Sequence, residues 1–203
     1  MKFKMCAREW KVAKWLPSDF PELEKLIECE IGDVNFNAEI KNTMANSGQV
    51  SLEDFDQQFK RRLIHLGGKH EPAPEIDLEK RMLPDVCLRF EQGKESYLAL
   101  MEIEKANWEK LLRDLLKLHA YLSSGADVGV LVVPENHAHK AGEVNQVRWA
   151  ELLWGSALKV GMWNGQFRRR IIVASFRMYD LESGQPYGIT VRDRFQRMAR
   201  GAI

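Results

Sequence analysis

Apolar positions recur along this chain in more than one rhythm, and each rhythm predicts a different element. Phe20, Leu23, Leu26 and Ile27 fall at helical spacing after Pro17-Ser18, with Ser18 as N-cap and Gly32 as the stop. Residues 33–50 are polar, with Asn35, Asn37, Asn42, Asn46 and Gly48, and read as loop or irregular structure. Leu52, Phe55, Phe59 and Leu63 form a second helical stripe; Ser51 and Asp54 approximate a capping box and Gly67-Gly68 closes it. Residues 69–84, with Pro72, Pro74 and many charges, read as an exposed connection.

After Pro84 the period shortens. Residues 85–90 and 97–105 read as strands of a hairpin, with 91–96 as the turn that contains Gly93. Trp108, Leu111, Leu112, Leu115, Leu118, His119 and Leu122 mark a strongly amphipathic helix ending at Gly125. The near-continuous apolar run at 127–133 suits a strand buried on both faces. Residues 144–160 predict another helix and 171–179 another strand. This order predicts the α/β class, with a central mixed β-sheet flanked by helices. A length of 203 residues suits a single domain, divided into an N-terminal helical part (1–83), a core (84–180) and a basic tail (181–203).

Composition narrows the class further. With 45% hydrophobic and 29% charged residues, disordered, collagenous and low-complexity chains are excluded. No apolar run approaches the roughly 18 residues of a membrane span, and no membrane partner is expected. Residues 1–15 carry charges throughout and lack the apolar stretch of a signal peptide; with three widely spaced cysteines, Cys6, Cys29 and Cys87, this predicts a cytoplasmic protein without disulfides or zinc. Net charge is only +1, yet residues from 161 onward hold eight arginines, no lysine and three acids, against a net −4 for the first 160. Guanidinium forks pair bidentately with phosphate, so this asymmetry fits either a polyanion or a solvated basic face.

Three carboxylates carry candidate chemistry: Asp85, Glu102 and Glu104. Glu102 and Glu104 share a strand face with Leu98 and Leu100, so an apolar face turns acidic at its end. Inward charges are costly unless they find partners or a metal. If Asp85 opens the paired strand, the hairpin returns its carboxylate toward Glu102, and such an oxygen-rich set suits Mg²⁺ with water and a phosphate completing its shell. An exposed edge strand paired with lysines is the plainer alternative.

Pro84-Asp85, sixteen residues, then Glu102-Ile103-Glu104 resembles the PD-(D/E)xK nuclease motif with its terminal lysine replaced by glutamate, as in the BamHI restriction endonuclease. A wider resemblance, to the BglII and BstYI restriction endonucleases, covers LPSDFPELEKLIECEI, SLEDFDQQFKRRLIHLGGKHE and MEIEKANWEKLLRDLLKLHAYLSSGADVGVLVVP. It implies a restriction-endonuclease-like fold and a type II restriction endonuclease, a homodimer cutting double-stranded DNA at a short palindrome with Mg²⁺. It implies that Asp85, Glu102 and the Ile103 carbonyl hold the metal. Glu104, where most relatives have lysine, would position or activate the water. A helix near 108–125 would help form the dimer. The gap between Asp85 and Glu102 is longer than in the closer relatives, which makes Glu91 and Glu95 fallback ligands. Alternatives are a PD-(D/E)xK nuclease of DNA repair or processing and a DNA-binding relative without catalysis.

Other positions are read as structural first. Alternation turns Lys105 away from the glutamates. His137 and His139 lack a third ligand at zinc spacing. Arg168, Arg169 and Arg170 fit phosphate contact or a solvated strand start, and no asparagine of 35–46 is assigned to base recognition.

Overall fold

Half of the sheet comes from the polar N-terminal third of the chain. The computed structural model describes residues 2–41, 49–52, 54–74, 83–92, 95–105, 110–139, 142–159, 161 and 165–199. Strand β1 (Lys2–Val12) buries Phe3, Met5, Ala7, Trp10 and Val12 and leaves Lys2, Lys4 and Lys11 exposed. Helix α1 (Pro21–Lys25) runs on as a π-helical turn, Leu26–Glu30, so the expected first helix forms. Ser18 accepts a hydrogen bond from the Phe20 N–H at 3.0 Å, just ahead of it.

Within 33–50, residues 34–41 and 49–50 are strand and not loop, and Asp33 is irregular. In β2 (Val34–Lys41), Val34, Phe36, Ala38 and Ile40 point inward while Asn35 and Asn37 lie on the solvated face. A period of two was present, hidden because asparagine also signals turns. Strand β3 (Gln49–Leu52) places Ser51 in the sheet and not at a helix cap; Asp54 is the residue that precedes α2 (Phe55–His65). With β4 (Lys69–His70), the first 83 residues contribute four strands, which corrects the expectation of a helical N-terminal part.

The later elements are β5 (Val86–Gln92), β6 (Glu95–Ile103), α3 (Lys110–Ser123), β7 (Val128–Pro134), β8 (His137–His139), β9 (Gly142–Val144), α4 (Gln146–Lys159), α5 (Gly165–Arg168), β10 (Ile171–Asp180) and α6 (Tyr187–Ala199). Among them, β5, β6, α3, β7, α4 and β10 match the sequence reading, whereas β8, β9, α5 and α6 were not expected. The described part of the expected basic tail is therefore largely a helix, anchored by buried Tyr187 and Val191. Gly93, Trp108, Asn42, Asn46 and Gly48 lie outside the described residues.

The eight-stranded mixed sheet has the order β3-β2-β1-β10-β7-β6-β5-β4, with β6, β7 and β10 parallel at its centre. One face is covered by α1, the π-turn and α2, whose Phe55 and Phe59 stack on Phe176 and Trp10 at 4.8 and 5.2 Å. The other face is covered by α3 and α4 through Leu111, Leu115, Leu118, Ala150 and Trp154. Gly129 sets how near α3 comes to the sheet, since a Cβ there would meet Leu118 side-chain atoms at 3.2 and 3.3 Å. Gly129→Val should lower unfolding free energy by about 1–3 kcal/mol through overpacking. A wild-type urea midpoint for this variant would contradict that close fit.

Candidate active site

Alternation and register bring the sequence-predicted acids to one end of the central strands. Val86 pairs with Met101, so Asp85, one residue earlier, stands opposite Glu102 across the antiparallel pair. Asp85 Oδ2 accepts the Ile103 N–H at 2.7 Å, which ties the acid to the last rung of the hairpin ladder. Glu102 continues the face of Leu98 and Leu100 toward α3, and is 2% exposed. Glu104 follows in the same phase, with its N–H bonded to the Val132 carbonyl at 3.1 Å and its side chain 5% exposed. The expected acidic end of an apolar strand face is present, and it is buried.

Helix α3 adds residues that sequence reasoning missed. Asp114, Lys117 and Tyr121 recur at i, i+3 and i+7 on the same stripe as Leu111, Leu115, Leu118 and Leu122, and all are buried. Lys117 Nζ donates to Glu102 Oε2 at 2.5 Å and to the Leu83 carbonyl at 3.1 Å. The Tyr121 hydroxyl donates to the same carboxylate. The other oxygen, Glu102 Oε1, is shielded from water and has no hydrogen-bond partner. The missed signal was an acid and a lysine inside an otherwise apolar stripe, where an amphipathic helix places only residues that face the interior.

Lys105 points to the opposite face, as alternation predicts, and pairs with Asp56 of α2 at 2.5 Å. Glu91 and Glu95, the fallback acids, belong to the far end of the hairpin, where Glu91 pairs with Lys69. Arg169 pairs with Asp19 at 2.6 Å, and Arg170 donates to the Asp127 and Ala126 carbonyls, so these arginines secure the opposite ends of β7 and β10. His137 lies beside Tyr187 with tilted rings 6.0 Å apart, on β8 of a separate two-stranded sheet.

Asp85 is exposed, while Glu102, Glu104 and Asp114 are buried, and burial dominates the electrostatics of the cluster. Burial pushes the Glu102 carboxyl up to about 8 against the pull of Lys117, and the charges of Asp85 and Asp114 push the same way. Asp114 is raised by burial, opposed by Arg113, with Glu104 adding to the rise. Asp56 is raised by burial, opposed by Lys105, with Asp85 and Glu104 adding. A carboxyl raised in the folded state above its ordinary 4.5 stabilises fully at acid pH, and that contribution disappears as pH climbs through about 8. In chelator, wild type should therefore lose more stability than Glu102→Gln between acid and alkaline pH, by about 1 kcal/mol or more. Urea midpoints that run parallel for the two proteins would contradict this.

Among the described residues, no three His, Cys, Asp or Glu side chains stand close enough together to hold a metal ion. The expected gathering of three carboxylates is instead an Asp85–Glu102 pair with Glu104 alongside and an ammonium seated on Glu102. Glu102 Oε1 is nevertheless a buried oxygen without a hydrogen-bond partner, and register sets Asp85 opposite Glu102, so oxygen donors of the kind a hard cation takes are present here. No protein-family model and no curated protein sequence matches the chain.

Proposed function

We propose that this protein is a Mg²⁺-dependent endonuclease of double-stranded DNA, a type II restriction endonuclease with a restriction-endonuclease-like fold. The observation that carries the reading is the Glu102 carboxylate: nearly inaccessible, opposite Asp85, and with one oxygen lacking any partner. A buried acceptor left in this way is costly unless something binds it. Asp85, Glu102 and the Ile103 carbonyl are the groups that would hold Mg²⁺. When bound, the ion supplies polarisation of a phosphodiester and acidification of a water.

The chain's own residues do the remainder. Glu104 orients the attacking water and takes its proton. Lys117 supplies the cation missing from the last motif position, reaching the site from α3 instead of from the strand, and balances negative charge gathering on the phosphate. Tyr121 and the Leu83 carbonyl hold the Glu102–Lys117 pair until the ammonium is displaced from Glu102 by an ion. Homodimer formation is supported by Leu112, Leu116, Trp149 and Leu152, exposed on the mutually packed α3 and α4. Two copies related by a twofold axis suit a palindromic site, one strand cut by each. A cytoplasmic location accords with this role.

The Lys117–Glu102 contact also favours a second reading, a DNA-binding relative whose ion pair has become structural. Incubation of phage DNA with Mg²⁺ followed by sequencing of the cut ends separates the possibilities. Discrete fragments with one recurring terminal sequence support a restriction enzyme, and sequence-independent degradation supports a repair or processing nuclease. Retention of duplex without nicking supports the inactive relative.

A further inference from the structure

Where the α3–α4 cover stops, the same sheet face continues into the open and changes character. Cover continues past Glu102, Leu131 and Val173 to Val133 and its neighbour Ser175, 3% exposed; beyond that row come Arg177 and Tyr179 on β10, with Lys11, Arg8 and Lys4 around a buried Cys6 on β1. A one-residue bulge makes this possible. Arg8 pairs with Arg177 and Lys11 with Ser175, so three steps on β1 match two on β10. Without the extra residue, Arg8 and Lys11 would point to opposite faces; with it, both join Arg177. Glu9, inside the bulge, takes φ +57°, a left-handed conformation that costs a residue with a side chain.

The bulge also sets two arginines directly opposite each other, an arrangement that destabilises a sheet. Their compensation is incomplete. Arg8 stacks on the Tyr179 ring at 4.0 Å, and Arg177 has Glu9 only at 3.9 Å. Both Nε atoms are shielded from water and lack hydrogen-bond partners. Glu135 partly offsets Lys11 at 3.4 Å and accepts from Ser175 Oγ at 3.0 Å. Exposed Lys4 extends the row, and exposed Asn35 and Asn37 continue it onto β2.

We infer that this face, centred on Arg8 and Arg177, is the track for the phosphate backbone of duplex DNA. It rests on the nuclease reading and adds how substrate is held: β10 lies two strands from β6, about 10 Å at 4.8 Å per strand. A duplex seated on the arginines therefore passes beside the carboxylates. Guanidinium forks deliver two N–H groups to each phosphate, and the phosphate charge relieves the like-charge pair.

The test is fluorescence anisotropy of the full chain with a labelled duplex in Ca²⁺, across a salt series, for wild type, Arg8→Gln/Arg177→Gln, Arg8→Lys/Arg177→Lys and Lys25→Gln. Lys25 lies on α1, beneath the other face. The double Gln variant should bind more than tenfold more weakly, and its log K against log salt slope should fall by about 0.9 for each phosphate no longer neutralised. The Lys pair should keep most affinity, and Lys25→Gln should match wild type. A double Gln variant with wild-type affinity and slope, or a Lys pair as weak as the Gln pair, would overturn the track. Parallel cleavage in Mg²⁺ keeps the two readings apart. Wild type that binds through these arginines yet never cuts leaves the track standing without the nuclease; cleavage with Gln variants binding normally leaves the nuclease without the track.

Discussion

Glu102→Ala should reduce Mg²⁺-dependent cleavage of duplex DNA roughly a thousandfold or more, with duplex affinity in chelator unchanged. A metal ion is worth several kcal/mol to a reacting phosphate, and every 1.4 kcal/mol or so is a factor of ten in rate. On the proposed reading, removing the central carboxylate would remove that ion's main anchor. The side chain is 2% exposed and turned toward α3, so its loss leaves the proposed DNA-facing surface intact. Single-turnover cleavage of an end-labelled duplex, beside anisotropy for binding, reads both halves. Cutting at the wild-type rate would contradict the site. Equal loss of binding and cleavage would place Glu102 in folding and not in chemistry.

Lys117→Met should lower the cleavage rate about a hundredfold, the scale of deleting one positioned transition-state donor, while KM for duplex stays near wild type. It should also leave a pH signature in stability. Removing one partner of a buried ion pair costs about 3–5 kcal/mol when the other stays charged. Glu102 can avoid that cost by holding a proton, since burial has already raised its carboxyl to about 8. Without Lys117 the carboxyl rises further, so the stability it contributes is retained at acid pH and lost as the solution becomes alkaline. The destabilisation of Lys117→Met should thus be slight at mildly acid pH and grow steadily above about pH 8. A variant equally destabilised throughout, with unaltered cleavage rate, would make Lys117 a packing residue.

How much of this was legible in the chain differs by region, for physical reasons. Strand β7 and the β5–β6 hairpin follow from apolar runs bounded by turn residues, and buried strands leave that pattern whatever surrounds them. Strands β1 and β2 were obscured because buried apolar residues alternate with polar ones along most of their length. Their outward positions hold lysine and asparagine, which composition reads as solvated chain or loop. In β1 the bulge at Glu9 also breaks the period, shifting buried positions from Phe3, Met5 and Ala7 to Trp10 and Val12. The side of the site made by one hairpin, Asp85 and Glu102, was readable because local register fixes it. The contribution of α3 was not, because the approach of Lys117 to Glu102 depends on how a helix packs across a sheet, and no local pattern encodes that distance.

The central claim is that Asp85 and Glu102 hold a divalent ion, and anomalous diffraction from crystals soaked in Mn²⁺ tests it most directly. A peak within coordination distance of both carboxylates and the Ile103 carbonyl, with the Lys117 ammonium moved off Glu102 Oε2, is the predicted result. Crystals that show Lys117 still seated on Glu102 and no peak between the two acids would contradict it.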